Sequence, residues 1–169
     1  MLPPCLNESI RRQDRVVDES VARRLLAEGE YGFLSMQATE GGGYGVPVNF
    51  VWDEAANAVY FHGAPQGRKL LCMAAEPRVT FCIVGNTRPI GEKFTTEYES
   101  VLLPATARTG LGEEERLHAL KLLIAKYSAG HEEVGLKYAR ASFHRTEIVR
   151  LDLLGWSAKG KRVPYDQFK

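Results

Sequence analysis

The 169-residue sequence predicts a mainly β fold, an antiparallel barrel or sandwich with peripheral helices. Runs rich in β-branched and aromatic residues follow one another along the chain, and turn signals or short helices separate most of them. A parallel sheet would need a crossover connection after nearly every strand, and the sequence has too few helical segments for that. One domain spanning residues 1–169 is expected, because the chain is too short for two ordinary domains.

An irregular lead-in and a short helix are predicted at the N-terminus. Residues 1–17 are rich in arginine and proline. Asp18 can then cap an amphipathic helix that ends at Gly29. Its apolar face would consist of Val21, Leu25 and Leu26.

Three predicted strands follow this helix. Segments 31–37 and 44–52 flank ATEGGG, whose three consecutive glycines suit a hairpin loop with positive φ angles. A dinucleotide-binding glycine loop is not favoured, because a strand and not a helix follows the glycines. DEAAN then forms a turn before the strand 58–62. Pro47 cannot donate to a sheet ladder, so the second strand is expected to lie at an edge or to be bulged.

The second half of the chain alternates helices with longer strands. A helix from about Gly67 to Ala75 stops before a proline, as helices commonly do. The fourth strand covers 78–85, and a long bent strand covers 96–110, in which Pro104 indicates an edge or a bulge.

The segment 112–128 is the clearest helix, because its first turn is acidic and its lysines come later. Its apolar stripe is Leu117, Leu120, Leu123, Ile124 and Tyr127. A shorter helix around 133–140 and a last strand over 146–154 precede an expected C-terminal tail, 155–169.

Composition excludes several classes of protein. The net charge of +1 gives no global field for binding nucleic acid or an anionic membrane. No run approaches the roughly 20 apolar residues of a membrane helix, and no signal peptide is recognised. The three cysteines are odd in number and form no C-x-x-C pair, a reduced pattern that predicts a cytoplasmic protein.

The dipeptide Arg68-Lys69 is the first candidate for chemistry. If Gly67 caps the helix, both cations lie at the positive end of its dipole, which is unfavourable by about 0.3–1 kcal/mol each. A bound phosphate would compensate, since the first-turn N–H groups and both side chains could hold it. The alternative is two solvated side chains, and the sequence alone leaves both readings open.

The four histidines show no zinc-site or metalloprotease spacing. His62 differs from the others because it adjoins the possible anion loop. Near the C-terminus, Trp156 precedes Lys159, Lys161 and Arg162. This segment is either a solvated end or an arm that reaches a partner subunit's site, with an aromatic face for stacking and cations for phosphate.

Six segments, taken in order, resemble one protein superfamily. They are RRQDR, YGVPVNFVW, VYFHGAPQGRKL, PRVTFCIVG, FTTEYESVLLPATA and AKGKR. Together they resemble the pyridoxamine-5′-phosphate-oxidase-like flavoproteins, most closely the nitroimidazole-resistance (Nim) type. The resemblance spans roughly residues 11–162. Each segment alone would be a weak signal, but the VPVNF and FHGAxxGRK pair is specific in this order and spacing.

The resemblance implies a six-stranded split β-barrel that forms a homodimer with two FMN sites at the subunit interface, FAD being the alternative cofactor. The isoalloxazine would lie against Val46, Pro47, Val48, Asn49 and Phe50. The flavin phosphate would be held near His62, Gly63, Ala64, Gly67, Arg68, Lys69 and Leu70. The second subunit would supply Tyr98, Ser100, Val101 and Trp156.

The implied activity is an FMN-dependent oxidoreductase that uses NAD(P)H to reduce small electron-poor compounds such as 5-nitroimidazoles. His62 would lie beside the reaction site as a candidate catalytic proton donor. Pyridoxamine phosphate oxidation itself is not expected, because the sequence lacks the fuller set of substrate-phosphate-binding arginines and histidines of the namesake oxidases. The alternatives are a non-catalytic flavin-binding or flavin-sensing protein, or a split barrel that binds haem or a deazaflavin, with His62 as an axial ligand to haem.

Overall fold

The computed structural model describes residues 2–164 and confirms a mainly β, antiparallel fold with peripheral helices. The strands are β1 Tyr31–Gln37, β2 Gly43–Asn49, β3 Val51–Asp53, β4 Ala58–Gly63, β5 Arg78–Ile90, β6 Thr95–Arg108, β7 Glu147–Leu153 and β8 Ser157–Lys161. The α-helices are α1 Glu19–Glu28, α2 Arg68–Ala75, α3 Glu113–Tyr127 and α4 Glu132–Ser142. No helix within the described range is long and apolar enough to cross a membrane.

The strand count of six is wrong for this chain, in which eight strands form one sheet over the described residues. Their order is β2-β1-β5-β6-β7-β4-β3, and β8 pairs with β6 outside this path. The two end strands, β2 and β3, are consecutive in the chain and separated only by Phe50. The sheet must therefore curl so that its two end strands come together at Phe50. Because β2 and β3 do not pair with each other along the sheet path, the arrangement is open and split-barrel-like.

The junction at Phe50 is fixed from inside and outside the barrel. The Phe50 ring is buried and packs edge-on against Phe81, with 5.1 Å between ring centroids. From outside, the Tyr127 hydroxyl at the end of α3 accepts a 2.9 Å bond from the Phe50 N–H. The same hydroxyl lies 2.7 Å from the Phe50 carbonyl oxygen and 2.6 Å from that of Glu30. Helix α3 is thereby tied to the point where the sheet changes direction.

Pro47 and Pro104, the two strand prolines predicted to mark an edge or a bulge, lie where a missing N–H costs little. Pro47 is in β2, an end strand of the hydrogen-bonded path, which confirms the edge prediction. Pro104 is inside β6, whose outer side pairs first with β8 and then, from Ala105, with β7. Pro104 therefore lies at the gap between these two partners, where its carbonyl oxygen accepts a 2.9 Å bond from Leu154.

Within the expected C-terminal tail, residues 157–161 form strand β8. Just before it, Trp156 forms a parallel bridge with Cys5 of the lead-in, and its side chain is only 3% exposed. Residues 2–17 of the lead-in form two short 3-10 turns and no α-helix or strand. The end of the predicted tail, 165–169, lies outside the described residues.

The sheet separates two apolar clusters, and β4 contributes to both. Val59 and Phe61 face the barrel interior, whereas Ala58 and Tyr60 pack against the cluster beneath α3 and α4. Because side chains alternate along a strand, the next residue after Phe61 points toward α3 and α4. That residue is His62, and this alternation places it on the helical side of the sheet.

Candidate functional site

His62 lies at the edge of a cavity of about 330 Å³ between the sheet and the α3–α4 pair. Asn49, the last residue of β2, lines the same cavity. The remaining lining comes mainly from the two helices: Leu120, Leu123, Ile124, Tyr127, Ser128, Gly135, Tyr138, Ala139, Ser142 and Thr146. The structure therefore brings two residues of the predicted flavin site together beside a half-open, mostly apolar space.

The helical wall of this cavity was not anticipated from the sequence. Gly135, Ala139 and Ser142 recur at helical spacing on α4 and keep that face of the helix small. A Cβ at Gly135 would lie 2.9 Å from Cγ2 of Ile124, so the glycine allows α4 to pack closely on α3. This small-residue spacing is the one signal in the sequence that could have indicated the cavity.

The electrostatics at His62 favour the neutral imidazole. Partial burial is the main cause that lowers the pKa of His62, and the charge of Lys69 lowers it further. A Cβ at Gly63 would lie 3.0 Å from Nζ of Lys69, so the ammonium group lies directly over the residue that follows His62. At neutral pH, His62 therefore presents an uncharged ring with one N–H donor and one acceptor.

Helix α2 begins as predicted, at Gly67. Its φ of 144° is a conformation that favours glycine. The Gly67 carbonyl accepts bonds from the N–H groups of Leu70 and Leu71 and so starts the helix. The N–H groups of Arg68 and Lys69 lie in the first turn, where a helix leaves its donors without intrahelical partners.

The two cations of α2 have different surroundings. Arg68 forms an ion pair with Glu40 of the β1–β2 loop, and its guanidinium lies 4.3 Å from the centroid of the Tyr44 ring. Arg68 is therefore not a freely solvated side chain. Among the described residues, Lys69 makes no ion pair or hydrogen bond, and its charge acts on His62.

The rest of the predicted flavin site does not converge in a single chain. Pro47, Val48 and Asn49 line a shallow groove at the β2 edge, and Gly67 and Leu70 line another groove beside α2. Val46 directly precedes Pro47 on β2 and is partly buried. Ala64 follows Gly63 and is exposed.

The side chains of Phe50, Val101 and Trp156 are 0%, 0% and 3% exposed in the core of their own chain. They cannot offer a side-chain surface to a flavin in this arrangement, although backbone atoms of Phe50 remain close to the cavity. Along β6, Tyr98 and Ser100 alternate with buried residues and face outward. Tyr98 lines a third pocket, between the lead-in, β6 and β8, and His62 does not line it.

Comparison with known proteins identifies the family. The model of the pyridoxamine 5′-phosphate oxidase family matches residues 18–160. No curated protein sequence matches the chain.

Solved structures share the fold at low sequence identity. A candidate 5-nitroimidazole antibiotic resistance protein from Bacteroides thetaiotaomicron is 16% identical, with a TM-score of 0.70 over 86% of each chain. The flavocytochrome Anf3 from Azotobacter vinelandii is 15% identical, with a TM-score of 0.75 over 97% of this chain and 78% of that one.

A third similar structure is the FAD and heme binding protein from Mycobacterium smegmatis. It is 14% identical, with a TM-score of 0.69 over 89% of this chain and 76% of that one. These similarities support the observed curled sheet with peripheral helices. Because the family model covers most of the sequence, the chain belongs to the pyridoxamine 5′-phosphate oxidase family.

Proposed function

We propose that this protein binds a flavin, FMN or alternatively FAD, and uses it to reduce small electron-poor compounds such as 5-nitroimidazoles at the expense of NAD(P)H. Three similar structures support the proposal, since one is named as a candidate nitroimidazole resistance protein, one as a flavocytochrome and one as an FAD and heme binding protein. The observation that carries it in this chain is the unpaired Lys69 at the start of α2, next to His62 and the cavity.

The start of α2 supplies what a flavin phosphate needs. The Lys69 ammonium and the first-turn N–H groups are available donors, and the open backbone at Gly67 allows an anion to approach closely. Arg68 adds a guanidinium group. To bind the phosphate, this group must either leave Glu40 or contact Glu40 and the phosphate together. A bound phosphate would also relieve the unfavourable position of two cations at a helix N-terminus.

The cavity beside His62 suits a small, flat, weakly polar substrate. Its walls are mostly aliphatic and aromatic, with the polar groups of Asn49 and His62 at one side. A bound flavin would supply the electron transfer itself. The chain's own residues would orient the substrate and exclude water, and the His62 imidazole would deliver a proton to the reduced substrate from its ring nitrogen.

The predicted homodimer is supported by an apolar row on the outer face of the sheet. Strand register places Pro47 beside Phe33, Phe33 beside Cys82, and Cys82 beside Leu102. Phe33 is 47% exposed and Leu102 is 40% exposed. An apolar row that crosses four adjacent strands without cover in a single chain is typical of a protein–protein interface, and we propose that a second copy covers it.

The phosphate cradle is tested by replacing Arg68 and Lys69 together with alanine. Loss of both cations is expected to release the flavin, measured by absorbance of the purified protein and by titration of the apoprotein with FMN. The matched control replaces two exposed cations elsewhere, Lys121 and Arg145, with alanine. Equal flavin retention in both double variants would overturn the assignment of the cradle.

The spectrum of the purified wild-type protein distinguishes the alternative cofactor classes. Flavin bands support the proposal. A strong Soret band would contradict it in favour of haem, with His62 as the candidate axial ligand. Flavin bands without NAD(P)H oxidation in the presence of a nitroaromatic acceptor would instead indicate a flavin carrier or sensor.

A further inference from the structure

We propose that the RRQDR and AKGKR segments form a second anion pocket that binds the diphosphate group of a nucleotide. This inference rests on the proposed function, because the nicotinamide donor carries such a group. The pocket has a volume of about 370 Å³ and lies between the lead-in, β6 and β8. Its lining consists of Arg12, Arg15, Thr95, Thr96, Tyr98, Lys159 and Lys161.

The backbone holds these two distant segments together. Val16 forms an antiparallel bridge with Lys159, and the Asn7 side-chain oxygen accepts a 2.9 Å bond from the Ala158 N–H. A Cβ at Gly160 would lie 2.8 Å from a methyl carbon of Val17, so glycine allows the lead-in to lie flat on β8. The pocket is therefore formed by fixed backbone and does not depend on loose chain ends.

Strand geometry directs the lysines into the pocket. Lys159 and Lys161 are two residues apart on β8, so they project from the same face. They pair with Ser100 and Tyr98, which share that face of β6. The 3-10 turn Gln13–Arg15 then brings two guanidinium groups over the same surface.

The pocket has an uncompensated positive charge. Asp14 pairs with Arg12 at 2.7 and 2.5 Å and with Arg15 at 3.2 Å, and these contacts lower the pKa of the Asp14 carboxyl to about 2. With Asp14 ionised, the four cationic side chains leave three net positive charges around one cavity. Lys161 contacts the Thr95 hydroxyl, and Lys159 has no ion pair or hydrogen bond among the described residues.

The neighbouring carboxylates do not neutralise this pocket. Glu97 and Glu99 alternate with Tyr98 along β6 and are buried on its other face. Glu97 bonds to Arg88 and to the Val163 N–H, and Glu99 bonds to Arg24, Asn86 and Arg162. The four cations of the pocket are therefore held close together at an electrostatic cost that a bound anion would remove.

A diphosphate fits this charge and this set of donors. Guanidinium groups recognise phosphate oxygens in pairs, ammonium groups add point charge, and threonine and tyrosine hydroxyls donate further hydrogen bonds. No residue that lines this pocket lines the His62 cavity or the groove beside α2. The pocket is thus separate from the flavin phosphate cradle of the same chain.

The test measures binding of inorganic pyrophosphate by calorimetry. It uses the full-length apoprotein that carries Arg68→Ala and Lys69→Ala, so that the flavin cradle cannot contribute. Binding is expected to persist in this background and to weaken at least tenfold when Lys159→Ala and Lys161→Ala are added. The control variant adds Lys121→Ala and Lys137→Ala, which remove the same charge from α3 and α4, and should bind as the background does. Binding that is unchanged by the pocket substitutions would overturn the proposal.

A further arm, with Lys159→Ala and Lys161→Ala in the otherwise wild-type chain, identifies the source of the diphosphate. If the nicotinamide donor supplies it, the variant keeps its flavin and the KM for NAD(P)H rises. Loss of affinity for FMN or FAD would assign these cations to the flavin phosphate and overturn a separate site. Pyrophosphate binding is read without flavin, so this pocket can be confirmed even if the protein proves not to bind flavin.

Discussion

At the scale of single residues, the pair His62 and Lys69 defines the site more sharply than either residue alone. The lysine charge and partial burial both disfavour a protonated imidazole, so the pKa of His62 lies below its ordinary value of 6.5. A histidine in this state is a poor proton store at neutral pH and becomes a better acid as the pH falls. Its contribution should therefore be visible as a pH dependence.

We expect His62→Gln to lower kcat for nitro compound reduction while leaving flavin affinity nearly unchanged. In the wild type, kcat should fall as the pH rises through the depressed pKa of His62, because the protonated fraction is lost there. The variant should show a flat profile over the same range. Steady-state kinetics on the flavin-loaded proteins measure both, over about 1.5 pH units either side of the ordinary pKa of histidine. Identical profiles would exclude His62 as the proton donor.

A second prediction for a single residue concerns Lys126 and the stability of the fold. Its Nζ is enclosed without a hydrogen-bond partner in the described structure and lies 4.0 Å from the centroid of the Phe50 ring. Burial lowers the pKa of Lys126 to about 8. Lys126→Met should therefore raise the free energy of unfolding at pH 7 by about 1 kcal/mol, since removal of the desolvation cost outweighs the lost cation–π contact.

The pH dependence of stability tests whether desolvation of Lys126 is the cause. The folded chain loses the Lys126 proton near pH 8, whereas the unfolded chain keeps it until about pH 10.5. Wild-type stability should thus gain a contribution as the pH rises from 8 toward 10.5, and Lys126→Met should lack it. Urea unfolding of both proteins at pH 7 and pH 10 measures the difference. A less stable variant with the same pH response would contradict the argument.

At the scale of elements, α3 is a structural clamp as well as a cavity wall. Besides the Tyr127 contacts at Phe50, Glu115 in its first turn forms a 2.7 Å ion pair with Arg150 of β7 and accepts a 2.9 Å bond from the Tyr60 hydroxyl. The acidic first turn therefore serves both the helix dipole and the attachment of the helix to the sheet. Both ends of α3 are fixed to the strands that carry the site.

Tyr127→Phe should destabilise the protein by about 1–3 kcal/mol, because it leaves the Phe50 N–H at the β2–β3 junction without its partner. Tyr138→Phe is the matched control, since Tyr138 also lines the cavity but is 70% exposed. Thermal unfolding of the two variants measures the difference. Equal stability would show that the Tyr127 hydroxyl does not fix the junction.

Elements with strong local patterns were predictable from the sequence, and elements formed by long-range pairing were not. The glycine hairpin is an example of the first kind, since Gly41 and Gly42 have φ angles of 92° and 81° as expected. Strand β8 is an example of the second kind. Its inward residues are Ala158 and Gly160, which give no apolar alternation, and it exists because β6 and the lead-in cover it on both sides.

The candidate site likewise combines features set by local sequence with features set by long-range packing. The start of α2 at Gly67 and the edge position of Pro47 follow from local rules that the sequence displays. The ion pair between Arg68 and Glu40, and the approach of α4 to His62, depend on how separate elements pack. The start of α2 and the edge strand were therefore predictable from the sequence, whereas the cavity was not.

At the scale of the whole molecule, the curled sheet keeps three surface features apart. The helical side carries the His62 cavity, and the β6–β8 half carries the basic pocket. The outer face of β2, β1, β5 and β6 carries the exposed apolar row. Tyr98 and Ser100, which are predicted to contact the flavin of a second subunit, lie at outward-facing positions of β6.

Disruption of the apolar row should produce monomers. Phe33→Glu combined with Leu102→Glu places two charges in the centre of the proposed interface, where burial without a partner is costly. We expect the variant to elute as a folded monomer in size-exclusion chromatography with light scattering, and to bind flavin at least tenfold more weakly. Val134→Glu, on an exposed position of α4, should leave a dimer. A dimeric double variant would refute the proposed interface.

A flavin-dependent reductase must pass electrons from a nicotinamide donor to its flavin and from the flavin to a nitro compound. To follow both transfers, the protein, loaded with whatever flavin it retains on purification, is mixed under anaerobic conditions with NADPH or NADH and then with a 5-nitroimidazole, while the flavin absorbance is recorded. We predict that the donor bleaches the flavin bands and that the nitro compound restores them over repeated cycles. A colourless protein, or flavin bands that the donor bleaches and the nitro compound fails to restore, would contradict it.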